Sequence, residues 1–389
     1  MFSRQAFVIA FFLPSAHMGR AQETAHIRIA KETLFEIGES VTPRAIAQAH
    51  NGDLIVAGSL GGPAWATRIR PEGMIIWRNV LRSDAAVQSA TRSSYVGAVQ
   101  LPDDSTLLCG SISINHEGFS LVTHVSKTGD ALDQQQFKPS DKAFDFSDIR
   151  HCIPYRRGAV AIGIVRGVGP ERSKASYRIV IFDSQAHRIA EHVVSIPGIL
   201  RDEVPDGQDL VFLVEGAGHD SNGNQIVTTG LVRFDYSGAA VMDRTLAGGG
   251  YFVHAKDSQS NISVLVEPTS GLELHTVGAK FEDLAVVSGP LDELIPSWVG
   301  GLPDGSIVSF GQSRVGINSY TGSITWRGPT LSAKQVVMFE PLFANFSVDA
   351  VIFAGRPGEF IAARGVHPRG TPGSEKNPTG LMLSVLQVH

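Results

Sequence analysis

The chain has 389 residues, of which 43% are apolar and 18% charged, and it contains 41 glycines, 20 prolines and 2 cysteines. This composition is too apolar and too low in charge for a disordered chain, and two cysteines are too few for a disulfide-rich scaffold. The formal net charge of −5 excludes a general nucleic-acid-binding surface, because such a surface needs an excess of basic residues.

The first 21 residues have the features of a secretory signal peptide. Arg4 supplies a positive charge, residues 6–13 are continuously apolar, and Gly19 and Ala21 are the small residues expected before a cleavage site. The apolar run is shorter than the roughly 20 residues that are needed to cross a bilayer. We therefore expect a periplasmic or secreted protein without a membrane span. A buried N-terminal strand or helix is the alternative interpretation.

Short β-branched segments that end in glycine recur along the rest of the chain. They end at Gly58, Gly110, Gly163, Gly216, Gly311 and Gly365. A further segment of the same type ends at Glu267 without the glycine. The average interval is about 51 residues, which indicates seven copies of one structural unit.

Each copy follows the same order of strands and turns. An apolar strand leads to a tight turn, such as Asn51-Gly52 or Arg157-Gly158, that suits a two-residue hairpin. The glycine-ended strand comes next, followed by a variable loop and a third strand. A second turn with a glycine, as at Gly73 and Gly322, then opens a fourth strand. Four short antiparallel strands in about 50 residues predict the blade of a β-propeller.

The two ends of the chain complement each other. The last copy contains only three strands, whereas residues 26–35 supply a spare strand before the first copy begins. Pairing this strand with the last copy would close the ring and leave no open sheet edge between them. We therefore predict an all-β fold, a single seven-bladed β-propeller over residues 22–389 whose last blade is closed by the N-terminal strand. Two β-sandwich domains with coincidental spacing are the alternative.

Two of the copies place a tryptophan four residues after a glycine, at Gly73 and Trp77 and at Gly322 and Trp326. In this feature the chain resembles the bacterial secreted β-propeller repeat proteins of the PQQ-like and WD40-like superfamily. Only two of the seven copies have the tryptophan, so the resemblance does not imply the quinone of true quinoproteins. We expect no cofactor.

The two cysteines can be placed on the predicted blades. Cys109 precedes Gly110 on the second strand of one copy, and Cys152 lies at a similar height on the first strand of the next copy. Because neighbouring blades pack face to face, the two sulfur atoms can meet between the second and third blades. A disulfide suits an oxidising compartment. Two buried free thiols are the alternative.

The loops after the glycine-ended strands vary most and should all open on one face of the propeller. Loops on a rigid scaffold are where binding residues concentrate. On this face we expect His116, Glu117, Glu171, Arg172, His219, Asp220, Arg314, His367 and Arg369 to bind a partner.

One of these loops has a weak similarity to a calcium-binding loop. Asp220, Asn222 and Asn224 alternate as the first oxygen ligands of such a loop do. Its sixth position, which needs glycine, holds Gln225, and its twelfth, which needs an acid, holds Leu231. A polar turn is therefore favoured over a metal site.

The sequence contains no HExxH, G-x-S-x-G or P-loop motif, so we assign no catalytic residue and favour a protein that is not an enzyme. Asp148, Asp202 and Asp349 lie near the starts of three first strands and could surround the channel mouth. We predict a monomer that binds a protein partner through its loop face, as an inhibitor, an immunity-type protein or an envelope assembly factor. The alternatives are a propeller that binds carbohydrate or another small ligand, and a glycosidase-type or lyase-type propeller enzyme with its site at the channel mouth.

Overall fold

The computed structural model describes residues 27–37, 41–81, 90–115, 117–138, 144–167, 175–196, 198–206, 209–219, 223–235, 239–254, 261–268, 271–290, 295–316, 319–339, 350–354, 358–366 and 380–388. Within these ranges the chain forms 28 β-strands in five four-stranded sheets and one eight-stranded sheet. None of these residues belongs to a helix long and apolar enough to cross a membrane. The predicted signal peptide, residues 1–21, lies outside the described residues.

The strands follow one another as antiparallel meanders of four. After β1 (Ile27–Glu36), the first meander is β2 (Val41–Gln48), β3 (Leu54–Leu60), β4 (Ala64–Ile69) and β5 (Ile75–Val80). The second is β6 (Ala90–Gln100), β7 (Thr106–Ile114), β8 (Glu117–Val125) and β9 (Ala131–Phe137). The third is β10 (Phe144–Tyr155), β11 (Gly158–Gly167), β12 (Ala175–Phe182) and β13 (Arg188–Val194). The fourth is β14 (Ile199–Asp206), β15 (Asp209–His219), β16 (Gln225–Phe234) and β17 (Ala240–Ala247).

The remaining strands form one large and one small sheet. The eight-stranded sheet contains β18 (Gly249–His254), β19 (Ile262–Glu267), β20 (Leu272–Val277), β21 (Asp283–Gly289), β22 (Ile295–Gly301), β23 (Ile307–Gly316), β24 (Ser319–Arg327) and β25 (Lys334–Met338). Two meanders, β18–β21 and β22–β25, are joined in it by a short parallel pairing of β18 with β22. The last sheet contains β26 (Ala350–Phe353), β27 (Glu359–Val366) and β28 (Gly380–Val388), with β1 at its edge.

The N-terminal strand closes the last sheet, as predicted. β1 pairs with β28 in antiparallel register from Ile27 opposite Val388 to Glu36 opposite Gly380. A polar contact fixes this pairing, because the Glu32 carboxylate lies 2.8 Å from Arg364 Nη2 and accepts a hydrogen bond from Ser384 at 2.9 Å.

The first strand of each meander lies at the centre of the molecule. We call β2, β6, β10, β14, β18, β22 and β26 the inner strands. Neighbouring inner strands contact each other, as β2 does with β6 and β26, and β18 with β14 and β22. The faces of successive meanders pack against one another through buried apolar side chains. This arrangement is a β-propeller with four-stranded antiparallel blades around a central channel.

The recurring glycine has a structural cause. Gly58, Gly110 and Gly163 lie opposite a β-bulge in the adjacent inner strand. A Cβ atom at Gly58 or Gly110 would lie 2.0 Å from a backbone carbonyl oxygen of that bulge. Blade β18–β21 has no register shift between its first two strands, and its second strand is the one that ends in Glu267. In the blades of Gly58 and Gly110 the bulge therefore leaves room only for glycine.

Gly216 does not belong to this set. In blade β14–β17 the residue opposite the start of the bulge is Val214, so Gly216 lies two residues beyond the equivalent position. Its assignment as a copy of the same glycine was wrong. The apolar residues 210–214 made this segment look like the other copies, although its glycine does not lie opposite the bulge.

Two further details of the predicted repeat were wrong. Tyr155 pairs with Gly158, so the hairpin turn is Arg156-Arg157, and Arg156 adopts a positive φ of 54°. Gly322 lies inside the third strand β24, whereas Gly73 lies in the turn before the fourth strand β5. The two Gly-Trp segments therefore occupy different blade positions, which removes the residue match behind the resemblance to PQQ-like and WD40-like proteins.

The predicted disulfide is present. Cys109 on β7 and Cys152 on β10 are bonded, with their Cα atoms 6.0 Å apart. Cys152 lies opposite Ala161, because the hairpin turn is Arg156-Arg157 and the pairing from Tyr155 to Cys152 is continuous. The cystine joins two neighbouring blades close to the channel.

Candidate functional site in the central channel

The inner-strand bulges direct side chains into the channel. Five inner strands share a bulge at which the pairing register skips one residue, and these residues are Arg44, Val96, Arg150, Arg201 and Ser297. A bulged residue has no partner in the sheet, so its side chain can leave the packed face. The burial sequence buried, exposed, intermediate, buried repeats across the bulges of β2, β10, β14 and β22. Since neighbouring blades cover both faces of an inner strand, its exposed side chains face the channel.

The residue after the bulge in β10 is His151. Its Nδ1 atom lies 2.8 Å from the Glu203 carboxylate on the next inner strand, β14. Glu203 is buried, with 3% of its side chain exposed, whereas His151 exposes 24%. Burial lowers the pKa of His151, but the contact with the Glu203 carboxylate and the charge of Asp202 together outweigh it and leave this pKa above its ordinary value.

Glu203 Oε2 makes no hydrogen bond of good geometry within the described residues. Its contact with His151 is therefore an ion pair whose N–H is not well aligned with the oxygen. The pair depends on charge, so it is weakened when the imidazole loses its proton.

The residue after the bulge in β14 is Asp202, which pairs with the following blade. Its carboxylate lies 2.9 Å from His254 Nε2 at the end of β18. Its other oxygen accepts a hydrogen bond from the Glu203 backbone N–H at 2.9 Å. Burial lowers the pKa of His254, but the charge and hydrogen bond of Asp202 overcome it and raise this pKa above its ordinary value.

Trp298, which follows the bulge in β22, packs on His254. The two rings are stacked, with centroids 5.5 Å apart and planes inclined by 5°. The edge of the indole packs over Gly300, where a Cβ atom would lie 2.6 Å from the ring. His254 and Gly300 are also paired residues of the parallel β18–β22 contact. Backbone pairing and ring stacking together fix the His254 imidazole.

Two arginines lie beside these histidines at the bulges themselves. Arg150 pairs with Asp148 at 2.7 Å, and Arg201 pairs through two nitrogens with Glu215 at 2.8 and 2.9 Å. Asp148 also accepts a hydrogen bond from Ser111. The backbone at the start of β14 is held by the Tyr177 hydroxyl, which accepts from the Leu200 N–H at 2.7 Å.

We call this set of side chains the polar arc. It consists of Asp148, Arg150, His151, Arg201, Asp202, Glu203, Glu215, Tyr251, His254 and Trp298. Burial and the nearby Glu267 carboxylate raise the pKa of Tyr251 to about 12, so its hydroxyl remains a donor. Carboxylate-oriented imidazoles that reach solvent can take or give a proton near neutral pH.

Most of the predicted loop-face residues lie outside the described residues. These are His116, Glu171, Arg172, Asp220, His367 and Arg369, together with Asn222 of the weak metal candidate. Asn224 is exposed, and no group of three or more His, Cys, Asp or Glu residues within the described ranges is arranged to hold a metal ion.

The remaining predicted positions belong to strands instead of open loops. Glu117 begins β8, exposes 59% of its side chain and pairs with Lys138 at 2.8 Å. His219 is exposed and pairs with Gln225 at the end of the β15–β16 ribbon. Arg314 lies on β23 opposite Tyr320. The hairpins continue further than predicted, so these connections are shorter than the expected loops.

Of the polar arc, only Asp148 and Asp202 were predicted from the sequence, and the third predicted acid, Asp349, lies outside the described residues. A usable signal exists, because Arg44 lies 14 residues before Gly58, while Arg150 lies 13 residues before Gly163. Counting back from these bulge glycines would have found Arg44 and Arg150, but not Arg201, whose bulge lies opposite Val214. The arrangement of the blades in the ring decides which residues of different blades come into contact. The sequence pattern does not contain this information.

The chain was compared with known proteins. No protein-family model matches it, and no curated protein is similar to it in sequence. Among solved structures it is similar to an oligogalacturonate lyase from Vibrio parahaemolyticus, with 11% identity and a TM-score of 0.52 over 93% of this chain and 98% of that one. The Dos1 propeller has 8% identity and a TM-score of 0.48 over 93% and 95%. An alpha-L-arabinofuranosidase of Fusarium graminearum has 9% identity and a TM-score of 0.43 over 93% and 98%. At these identities the similarity shows the propeller fold alone.

Proposed function

We propose that the protein binds a small polar ligand in its central channel and that the polar arc supplies acid–base groups to it. The observation that carries the proposal is the pair of histidine–carboxylate contacts on successive inner strands, His151 with Glu203 and His254 with Asp202. Both imidazoles keep about a quarter of their side-chain surface exposed. An imidazole with a purely structural role would not need this exposed surface.

The chemistry of the two pairs differs in one respect. Asp202 is itself partly exposed, at 28%, so a ligand can contact both members of the His254 pair. Glu203 is buried, so only the imidazole of the His151 pair can reach a ligand. His254 therefore suits ligand contact together with its carboxylate, and His151 suits proton transfer with a buried counter-charge.

Carbohydrates are the first ligand class to test. The solved propeller with a TM-score of 0.52 is by its name a lyase of oligogalacturonate, and the half-buried Trp298 offers part of an aromatic ring beside hydrogen-bonding groups. The test is ligand-observed NMR with a panel of neutral and acidic mono- and disaccharides. His275→Gln is the matched control, because His275 is also flanked by two carboxylates but lies on β20, away from the inner strands.

The proposal predicts that at least one sugar binds the wild-type protein, loses binding in His254→Gln and retains it in His275→Gln. Binding that survives His254→Gln and His151→Gln would contradict the channel site. Absence of binding by the whole panel would also count against it.

We also propose that the ring has seven blades. Support comes from the 28 strands, which follow one another as seven meanders, and from the eight-stranded sheet, whose halves share only two paired positions, Val253 with Val299 and His254 with Gly300. A crystal structure tests the count. A ring of any other number of blades would contradict it.

Export and a protein partner remain proposals that rest on the sequence. We propose that residues 1–21 are removed and that the mature monomer presents Glu117, His219 and the neighbouring loops to a protein in the periplasm or outside the cell. Intact mass after expression of the whole chain in a bacterium should correspond to a protein that begins at Gln22. A full-length mass would contradict export, and light scattering would test whether the protein is a monomer.

Affinity capture from the cell envelope, with Glu117→Gln and His219→Gln as variants, tests whether the protein has a protein partner.

A further inference from the structure

The bulges place arginines at equivalent heights around the channel. Arg44 in β2, Arg150 in β10 and Arg201 in β14 are the residues that the pairing register skips. The same bulge fixes the backbone at each position, so the three side chains leave their strands at corresponding points of the ring. Three of the five bulge positions therefore hold an arginine, in a chain whose net charge is −5.

These arginines are exposed in the channel and keep hydrogen-bonding capacity. Arg150 exposes 55% of its side chain and contacts Asp148 through Nη2. Arg201 exposes 51% and uses Nε and Nη2 for Glu215, which leaves Nη1 outside the pair. Arg44 is exposed and has no ion pair within the described residues. A guanidinium that is held by one carboxylate is already oriented, so a second oxyanion loses less entropy in binding it.

Other donors lie next to the arginines. The Tyr251 hydroxyl on β18 is close enough to Arg201 for the guanidinium charge to act on it. His151 follows Arg150 directly along β10. The acids of the same region, Asp148, Asp202, Glu203 and Glu215, already face a basic partner each. These four pairs carry no net charge when both imidazoles are protonated, so the groups that remain for a ligand are the unused guanidinium N–H donors and Arg44.

We infer that the channel ligand carries an oxyanion, a carboxylate or a phosphate, that binds Arg150 and Arg201 and is attracted by Arg44. This inference rests on the proposed channel site and specifies its ligand class. The oxyanion would accept hydrogen bonds from the two guanidinium groups, while the rest of the ligand extends towards His151 and His254. A neutral ligand would leave the arginine positions unused.

Calorimetric titration of the purified protein with citrate and, separately, with inorganic phosphate tests the inference, at pH 6 and matched ionic strength. The variants are Arg44→Gln and the double variant Arg150→Gln/Arg201→Gln. Arg70→Gln is the matched control, because Arg70 is equally exposed and has an acidic neighbour, Glu72, but lies after the third strand β4, outside the inner strands. Circular dichroism checks that each variant has the wild-type strand content.

We expect saturable binding of at least one of the two anions to the wild-type protein. The double variant should weaken it by about tenfold or more, Arg44→Gln by a few-fold, and Arg70→Gln by less than about twofold. Citrate binding without phosphate binding would assign the site to carboxylates, and the reverse would assign it to phosphates.

Two results would overturn the inference. One is the absence of saturable binding by either anion below about 10 mM. The other is equal binding by the wild-type protein and the double variant. If a neutral sugar still binds in a manner that depends on His254, only the anionic ligand class is wrong. If neither sugars nor anions bind, the channel site itself fails with it.

Discussion

Two sides of the inner ring share a backbone and differ in side chains. β2 and β6 have the same bulge as β10 and β14. After the bulge, however, they carry Ala45 and Gly97, where the other two strands carry His151 and Asp202. The bulge is therefore part of the architecture, and the chemistry lies in what a blade places on it. We call the β2 and β6 side the small-residue arc, to contrast it with the polar arc.

The small residue in β6 has a packing reason. A Cβ atom at Gly97 would lie 2.4 Å from the Cβ of Cys152. The cystine between Cys109 and Cys152 thus occupies the space that a side chain at position 97 would take. The cystine therefore lies where the two arcs meet, and its Cys152 follows His151 directly on β10.

Removal of the disulfide should have the largest effect. The double substitution Cys109→Ser/Cys152→Ser should lower the free energy of unfolding by about 3–4 kcal/mol, because the bond closes a loop of 43 residues in the unfolded chain. Urea unfolding of the oxidised wild type and the variant measures it. Reduction of the wild type should reproduce the loss, and an unchanged midpoint in both cases would contradict the account.

The next test asks whether the bulge is common to both arcs. Gly110→Ala should cost about 3 kcal/mol, because its Cβ would overlap the Ser94 carbonyl oxygen at 2.0 Å. Gly163→Ala should cost less, since its Cβ would lie 2.7 Å from the nearest atom. Gly249→Ala in the blade without a bulge is the control and should be close to neutral, because no atom lies within 4 Å. Thermal unfolding of the three variants gives the order, and equal losses in all three would sink the explanation.

The third test concerns the polar arc alone. Glu203→Gln should lower stability by about 2 kcal/mol, because it leaves the largely enclosed His151 imidazolium without its counter-charge. Glu273→Gln removes a partly exposed partner of His275 and should cost less than about 1 kcal/mol. Urea midpoints of the two variants can be compared directly. A larger loss in Glu273→Gln would contradict the importance of burial at Glu203.

The smallest expected effect is a difference in how the free energy of unfolding depends on pH. The folded-state pKa of both His151 and His254 lies above its ordinary value of about 6.5. The stability that they contribute is therefore fully present below that value and lost as the pH rises through the raised pKa. Between pH 5.5 and 8.5 the wild type should lose more stability than the double variant His151→Gln/His254→Gln. Parallel profiles of unfolding free energy against pH for the two proteins would show that the histidine–carboxylate pairs do not contribute to stability.

The sequence predicted the fold better than the site. Residues 101–105 and 302–306 share the sequence Leu-Pro-Asp-x-Ser. In both turns the aspartate accepts a hydrogen bond from the serine two residues later, Asp103 from Ser105 and Asp304 from Ser306. Such local hydrogen bonds depend on residues close in the chain. The pairing of β1 with β28 was also predictable, because the last blade has only three strands of its own and needs a fourth to match the other blades.

The site could not be predicted in the same way. His151 and Glu203 are 52 residues apart, and their contact depends on two separate bulges that each shift the register by one residue. A shift of one residue decides whether a side chain faces a neighbouring blade or the channel. The error at the Arg156-Arg157 turn shows how little displacement is needed to misplace Cys152. Local patterns identify the strands, but they do not fix this register.

A histidine titration by NMR tests the central claim most directly. The imidazole signals of the wild-type protein would be followed with pH and assigned by their loss in His151→Gln and His254→Gln. We expect both to titrate above the ordinary histidine value, with His254 lowered by Asp202→Asn and His151 lowered by Glu203→Gln, and neither moved by Glu273→Gln. Titration of either histidine at or below the ordinary value, unaffected by its carboxylate partner, would contradict the polar arc as a set of paired acid–base groups.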